Sequence, residues 1–165
     1  MLSGLNKRAF KSLLGRSPAM EAVIRTAQIA AATDVHILIE GETGTGKELL
    51  AQEIQSSSMR ADEAFIIVNC AALPLELVES LLFGHEQGAF TGAHERREGY
   101  VQKAHMGTLF LDEIGELPLP IQAKLLRFIE HGEIQRLGTA DIEIVDVRII
   151  AATNRNLMQL VDSGQ

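Results

Sequence analysis

Apolar residues recur along this chain with two different periods, and the switches between them divide it into alternating elements. Met20, Val23, Ile24 and Ala27 fall on one helix face, and Ser17 and Pro18 ahead of them supply an N-cap and a first helical position. Val35 to Ile39 is a short apolar run with β-branched residues and reads as a strand; past a glycine cluster, Glu48 to Gln55 is helical. The Ser56 to Ser58 run with Arg60 to Glu63 reads as a loop, and Phe65 to Val68 as a second strand that stops on Asn69. Pro74 opens a helix carrying Leu75, Leu77, Val78, Leu81, Leu82 and Phe83 and ending at Gly84.

The segment before Tyr100, GHEQGAFTGAHERREG, holds four glycines and little periodicity, and a loop of that length in a compact domain is usually functional or disordered. Thr108 to Leu111 is a third strand, stopping on Asp112 and Glu113. Pro118 and Pro120 start a helix on which Ile121, Leu125, Leu126 and Ile129 share a face, with Gly132 as its break. Glu133 to Asp141 reads as a small hairpin or second loop, Asp146 to Ala152 as a fourth strand ending on Thr153 and Asn154, and Leu157 to Val161 as the start of a helix. Strands alternating with helices predict an α/β fold with a doubly wound parallel sheet, whose ligands sit at the carboxyl ends of the strands. Residues 1–13 are polar and basic and read as a linker or arm, and residues 14–165 as one domain.

The chemistry converges on that carboxyl edge. After the first strand comes Gly41-Glu42-Thr43-Gly44-Thr45-Gly46-Lys47-Glu48, which fits the phosphate-cradling P-loop: glycines let backbone N–H groups converge on phosphate oxygens, and Lys47 brings a cation to the β/γ end. Glu48 stands where the general motif has a hydroxyl for Mg²⁺, so a water-mediated contact is the form open to it. Asp112 is placed to hold Mg²⁺, and Glu113 to accept a proton from an attacking water; as plain strand-end residues both would simply be solvated. Asn69 and Asn154 offer side chains to the same edge, or cap a turn and the final helix. Phe90, between glycines, is either an apolar tip that meets a partner or a residue folded back into its own core.

Composition narrows the partners. A net charge of −7 argues against gripping nucleic acid through its backbone, so DNA contact is expected only through a domain absent from this chain. No apolar run approaches a membrane span and no signal peptide is visible, which predicts a cytoplasmic protein with no membrane contact. Five scattered histidines lack metal-site spacing, and the single Cys70 reads as a small buried residue rather than a nucleophile.

GETGTGKE at 41–48, VNCAAL at 68–73, SLLFGHE at 80–86, GAFTGA at 88–93, TLFLDEIGELP at 108–118 and VRIIAATNRNL at 147–157 occur in an order and spacing that resemble the central AAA+ ATPase domain of bacterial enhancer-binding activators of sigma-54 RNA polymerase, from about Leu14 onward. The resemblance implies a P-loop NTPase with ATP and Mg²⁺ as cofactors, and a Glu at position 48 is a family trait. It implies nucleotide contacts from Gly41 through Glu48, Asp112, Glu113, Thr153 and Asn154, with Asp112 on the metal, Glu113 polarising water and Asn69 holding Glu113 inactive until the γ-phosphate is sensed. It implies that Gly88, Ala89, Phe90, Thr91, Gly92 and Ala93 form the tip that engages the sigma-54 factor, with Arg136 relaying the nucleotide state and self-association into a ring, a hexamer, in the full-length protein. Met106 stands where the family more often has Gly. The family's arginine fingers, helical lid and DNA-binding helix-turn-helix are not in this sequence, so a truncated piece, inactive or very weak alone, is expected. The alternative reading is a nucleotide-binding regulatory module without productive remodelling.

Overall fold

The structure, a computed structural model, describes residue 10 and residues 17–162. Four strands, β1 (Ile37–Glu40), β2 (Phe65–Asn69), β3 (Thr108–Asp112) and β6 (Arg148–Thr153), form one sheet in the order β1-β6-β3-β2, and every pairing is parallel. The predicted doubly wound parallel sheet is therefore present. A separate antiparallel hairpin joins β4 (Glu133–Gln135) to β5 (Ile142–Ile144), so the hairpin expected over Glu133 to Asp141 reaches three residues further.

Period-2 alternation along the central strands divides the core between the two faces of the sheet. Leu109, Leu111, Ile149 and Ala151 point to one face, where they meet Val78, Leu82 and Phe83 of α3 (Val78–Phe83), Val101 of α4 (Tyr100–Lys103), and Ile121, Leu125 and Phe128 of α5 (Leu119–His131). Phe110, Ile150 and Ala152 point to the other, against Ala27 and Ala31 of α1 (Pro18–Ala31) and Ala51 and Ile54 of α2 (Lys47–Ser56). Phe10 is buried on this second face and its N–H donates to Glu53 Oε2 at 2.6 Å, so at that position the expected arm packs on the domain. The rest of residues 1–16 lies outside the described residues.

Local signals account for most boundaries. Ser17 Oγ accepts from the Met20 N–H at 3.2 Å with Pro18 at the first helical position, as the sequence indicated. Two expectations shift. The helix placed at Pro74 begins at Val78, and Leu75 and Leu77 are exposed on the turn before it. On α5 the buried stripe is Ile121, Leu125 and Phe128, an i, i+4, i+7 series that leaves Leu126 facing outward.

Arg148 is a buried cation at the start of β6, with 1% of its surface exposed. Its guanidinium donates to the carbonyls of Ala30 (2.7 Å) and Val35 (3.2 Å), tying the strand to the end of α1, which has no basic residue of its own in its last turn.

Candidate nucleotide site and loop

The site is assembled where β1, β6 and β3 end. Between β1 and β2 the chain passes over two strand positions, so the crevice beside β1 is where the winding reverses and where open α/β sheets place their ligands. Gly44 and Gly46 have φ of 82° and 88°, left-handed values that a side chain would strain, and they turn the chain into α2. Gly46 caps α2 without a side-chain bond, so the first N–H groups of this ten-residue helix are directed into the loop. Gly41 N–H donates to the Thr153 carbonyl at 3.1 Å, which fixes the loop to the end of β6.

Lys47 lies within this loop, its side chain only 8% exposed. Its Nζ donates to the carbonyls of Gly41 (2.9 Å) and Glu42 (3.2 Å) and stands 3.7 Å from Glu113 Oε1. Glu113 Oε2 accepts from the backbone N–H of Asn154 at 3.1 Å, and Asn154 Nδ2 donates to Thr43 Oγ1 at 3.1 Å. Three strand ends are thereby joined around one lysine and one carboxylate. Glu113 itself has φ of 51°, a left-handed conformation that costs a non-glycine residue about 1–2 kcal/mol and persists where its surroundings hold it. Asp112 Oδ1 accepts from the Glu113 N–H at 3.0 Å.

Asn69 is level with Asp112 in the β2–β3 register, and its Oδ1 accepts from the Ala71 N–H at 3.0 Å, capping the 3-10 turn Cys70–Ala72. In this structure the groups on Glu113 are thus Lys47 and Asn154, while Asn69 caps its turn. Thr153 is fully buried and its Oγ1 accepts from Arg155 N–H at 3.1 Å. Arg155, which the sequence reading passed over, donates to the Gly115 carbonyl and pairs with Glu116 at 2.6 Å, holding the turn after Glu113. Cys70 is buried, and burial first, then the Asp112 charge, pushes its thiol up to about 12. Among the described residues no group of three or more His, Cys, Asp or Glu side chains forms a metal cluster. Asp112 beside a phosphate cradle nonetheless suits Mg²⁺, which needs only one or two carboxylates when phosphates supply further oxygens.

The long loop joins α3 to α4, which pack on the face of the sheet that carries Leu109 and Leu111. Its ends cross where Gly84 and Gly99 meet: a Cβ on Gly99 would lie 2.3 Å from the Leu82 carbonyl oxygen, and one on Gly84 2.6 Å from that of Arg97. His85 exchanges backbone hydrogen bonds with Arg97 (3.0 and 2.9 Å), and Glu86 N–H donates to the Leu137 carbonyl at 2.9 Å, so the stem is paired with the β4–β5 hairpin. Arg136 on that hairpin donates to Glu86 (2.8 Å) and Glu143 (2.5 Å). Of the expected tip, Gly88 and Gly92 have φ of 81° and 104°, Thr91 is exposed and Ala93 is buried. Phe90 is half-buried, its ring edge-on to His85 at 5.1 Å.

A family model described as the Sigma-54 interaction domain matches residues 13–165. The anaerobic nitric oxide reductase transcription regulator NorR of Escherichia coli (strain K12 / DH10B) is 52% identical over 153 residues, 93% of this chain and 30% of its own length. The regulator of the same name from Salmonella paratyphi C (strain RKS4594) is 53% identical over the same shares. Among solved structures, NtrX from Brucella abortus in complex with ATP has a TM-score of 0.83 at 37% identity, over 93% of this chain and 33% of that one. The P-loop NTPase domain of the Sigma-54 transport activator from E. coli, at 21% identity and a TM-score of 0.60 over 91% of this chain and 84% of that one, bears on the fold alone. This chain spans 30% of the length of those curated relatives.

Proposed function

Because the chain belongs to the Sigma-54 interaction domain family, we propose that it is the ATP-binding and ATP-hydrolysing element of a transcription regulator, which remodels the sigma-54 RNA polymerase closed complex through the loop Gly88 to Ala93. The observation that carries this reading is the junction of Lys47, Glu113, Asn154 and Thr43, where the cradle, the acid and the end of β6 meet.

In this reading the uncapped start of α2 and the N–H groups of residues 44–48 bind the polyphosphate, and Lys47 leaves the carbonyls of Gly41 and Glu42 for the β/γ-phosphates. Asp112 would hold Mg²⁺, which neutralises charge on the phosphates when bound. Glu113 takes the proton of the attacking water, oriented by the Asn154 N–H. In this reading the departure of Lys47 and reorganisation around Asn154 alter what holds Glu113, and Asn69, level with Asp112 in the strand register, leaves its turn to take it over. From β2 the Asn69-capped turn leads towards α3 and the loop stem, while Arg136 ties that stem to the hairpin. Assembly into a ring and contact with the sigma factor through Phe90 and Thr91 complete the proposal.

The test compares Thr91→Ala with the parent for nucleotide binding and for nucleotide-dependent capture of purified sigma-54 factor. Thr91 makes none of the cradle's hydrogen bonds, so nucleotide affinity should hold within about twofold while sigma capture falls at least about tenfold, the loss of one or two contacts at a hot spot. Equal sigma capture by both proteins would remove the loop from the partner interface.

A further inference from the structure

Two buried polar side chains lie on the loop side of the sheet, away from the nucleotide chemistry. Ser80 on α3 is 5% exposed and His85 at the loop stem 8%. Ser80 Oγ and His85 Nδ1 stand 2.7 Å apart, a hydrogen bond that fixes the imidazole about its ring axis. The backbone of His85 is fixed as well, by its two bonds to Arg97. The ring so held presents itself to Phe90, with centroids 5.1 Å apart and planes at 65°, the edge-to-face arrangement that aromatic pairs favour.

Burial of Ala93, 6% exposed, anchors the far end of the tip. The remaining hydrogen bonds of residues 88–94 are local: Gly88 N–H to Ala93 O, Ala89 N–H to Glu86 O, Ala93 N–H to Phe90 O and His94 N–H to Gly92 O. Open space surrounds the Cβ positions of Gly88 and Gly92, and their positive φ values are ones that glycine adopts without strain. Beyond its stem the tip also meets the hairpin at Gly138, where an added Cβ would come within 2.8 Å of the Ala89 Cβ. The site around Phe90 is an open cleft that Leu77, Leu81, His94 and Arg96 also line, so the ring lies at a surface from which it can swing out.

We propose that His85 is a positioning residue that latches the loop: Ser80 orients its imidazole, the imidazole seats Phe90 against the stem, and unlatching delivers Phe90 to an apolar surface on a protein partner. This deepens the proposed function, on which the identity of that partner as the sigma factor rests. A latch built from one ring contact and one hydrogen bond biases the loop only modestly. An aromatic pair shifts such an equilibrium by about two- to tenfold, and a neutral hydrogen bond by a similar factor. A hold of that size keeps the tip down and still lets a change at the stem release it.

The test begins with the unmodified chain in solution, by NMR. Nuclear Overhauser contacts between the Phe90 and His85 rings are expected, together with slowed hydrogen exchange at the Gly88 and Ala93 amides. Ser80→Ala, which keeps the imidazole and frees its orientation, should speed exchange at those two amides by about two- to tenfold and leave Phe110 in β3 unchanged. His85→Ala should do the same, and His85→Phe, which restores an aromatic edge, should recover part of the protection. If His85→Ala also loses protection at Phe110, its fold has loosened, and the ring contacts of the unmodified chain with Ser80→Ala decide. Absence of the ring contacts, or unchanged exchange in Ser80→Ala, overturns the latch. Neither measurement involves nucleotide or sigma factor, so a latched loop that captures no sigma factor would overturn the proposed function and leave the latch standing.

Discussion

Replacing Glu113 with Gln separates two consequences of one carboxylate. Its Oε1 lies 3.7 Å from Lys47 Nζ, and both side chains are largely buried, at 16% and 8% exposure. At that separation the gross attraction is about 1 kcal/mol in a water-like medium and about 4.5 kcal/mol at an effective dielectric of about 20. An arriving polyphosphate competes with Glu113 for the ammonium and is itself repelled by the carboxylate. Only the part of the attraction surrendered on binding reappears as affinity, so the neutral amide should tighten ATP binding by about two- to tenfold, near the lower end of that range of energies. Turnover should move the other way. The amide keeps an oxygen for the Asn154 N–H but cannot take a proton, and general-base catalysis is worth about 10²- to 10⁴-fold. Calorimetric titration with ATP measures the first effect, and phosphate release by the ring proposed above the second. Weaker binding than the parent would refute the electrostatic reasoning, and parental turnover would show that Glu113 is not the base.

Lys47→Ala removes the cation bonded inside the cradle; a charged hydrogen bond is worth about 1.5–3 kcal/mol, so ATP affinity should fall by about 10- to 150-fold, and calorimetry showing parental affinity would sink the P-loop assignment. Met106 has φ of 64° and is 51% exposed, so Met106→Gly relieves left-handed strain at little loss of burial; after glycine's greater unfolded-state entropy, stability should rise by up to about 1 kcal/mol, read as a higher melting temperature, and a lower one would contradict the strain. Stability should fall in two stages as pH drops. Partial desolvation lowers the pKa of His36, whose Nδ1 accepts from the Ile149 N–H, so the unfolded chain takes up a proton first and stability declines below about pH 6.5. Asp34 and Glu143 are held below the usual carboxylate range by hydrogen bonds from Arg60 and Arg136, so their contribution is intact above about pH 5 and is lost as pH falls through their folded values. Urea midpoints from pH 8 to pH 3 trace both stages; a flat profile down to pH 5 would rule out the histidine stage.

The strands were legible because each short apolar run stops on a polar residue, and in a parallel sheet buried on both faces that is where the strand ends. Asp112 and Asn69 could be placed at one edge on that basis, and their register bears it out. The alternation that sorts Leu109 from Phe110 onto opposite faces was invisible, since both are apolar. Arg148 was hidden for the converse reason: a charge inside an apolar strand carries no sign that the end of another helix will receive it. The pairing of His85 with Arg97 and with Leu137 spans one residue on each strand, too short for any periodicity, and α4 is a single turn whose buried Gln102 accepts from Gly99 and donates to the Phe83 carbonyl. Glu113's bond to Asn154 arises only when β3 and β6 lie side by side, and nothing in the residue type announces its left-handed backbone.

Cys70 carries the only sulfhydryl in the chain, and it is 4% exposed with its ionisation displaced to about pH 12. Alkylating and disulfide-forming reagents attack the thiolate, which is scarce here at neutral pH. This 165-residue chain by itself is therefore a silent background for site-directed chemistry. One cysteine introduced at an exposed point of the loop would be the single reactive thiol of these 165 residues, so a dye or spin probe on this chain could follow the loop's position without first removing Cys70.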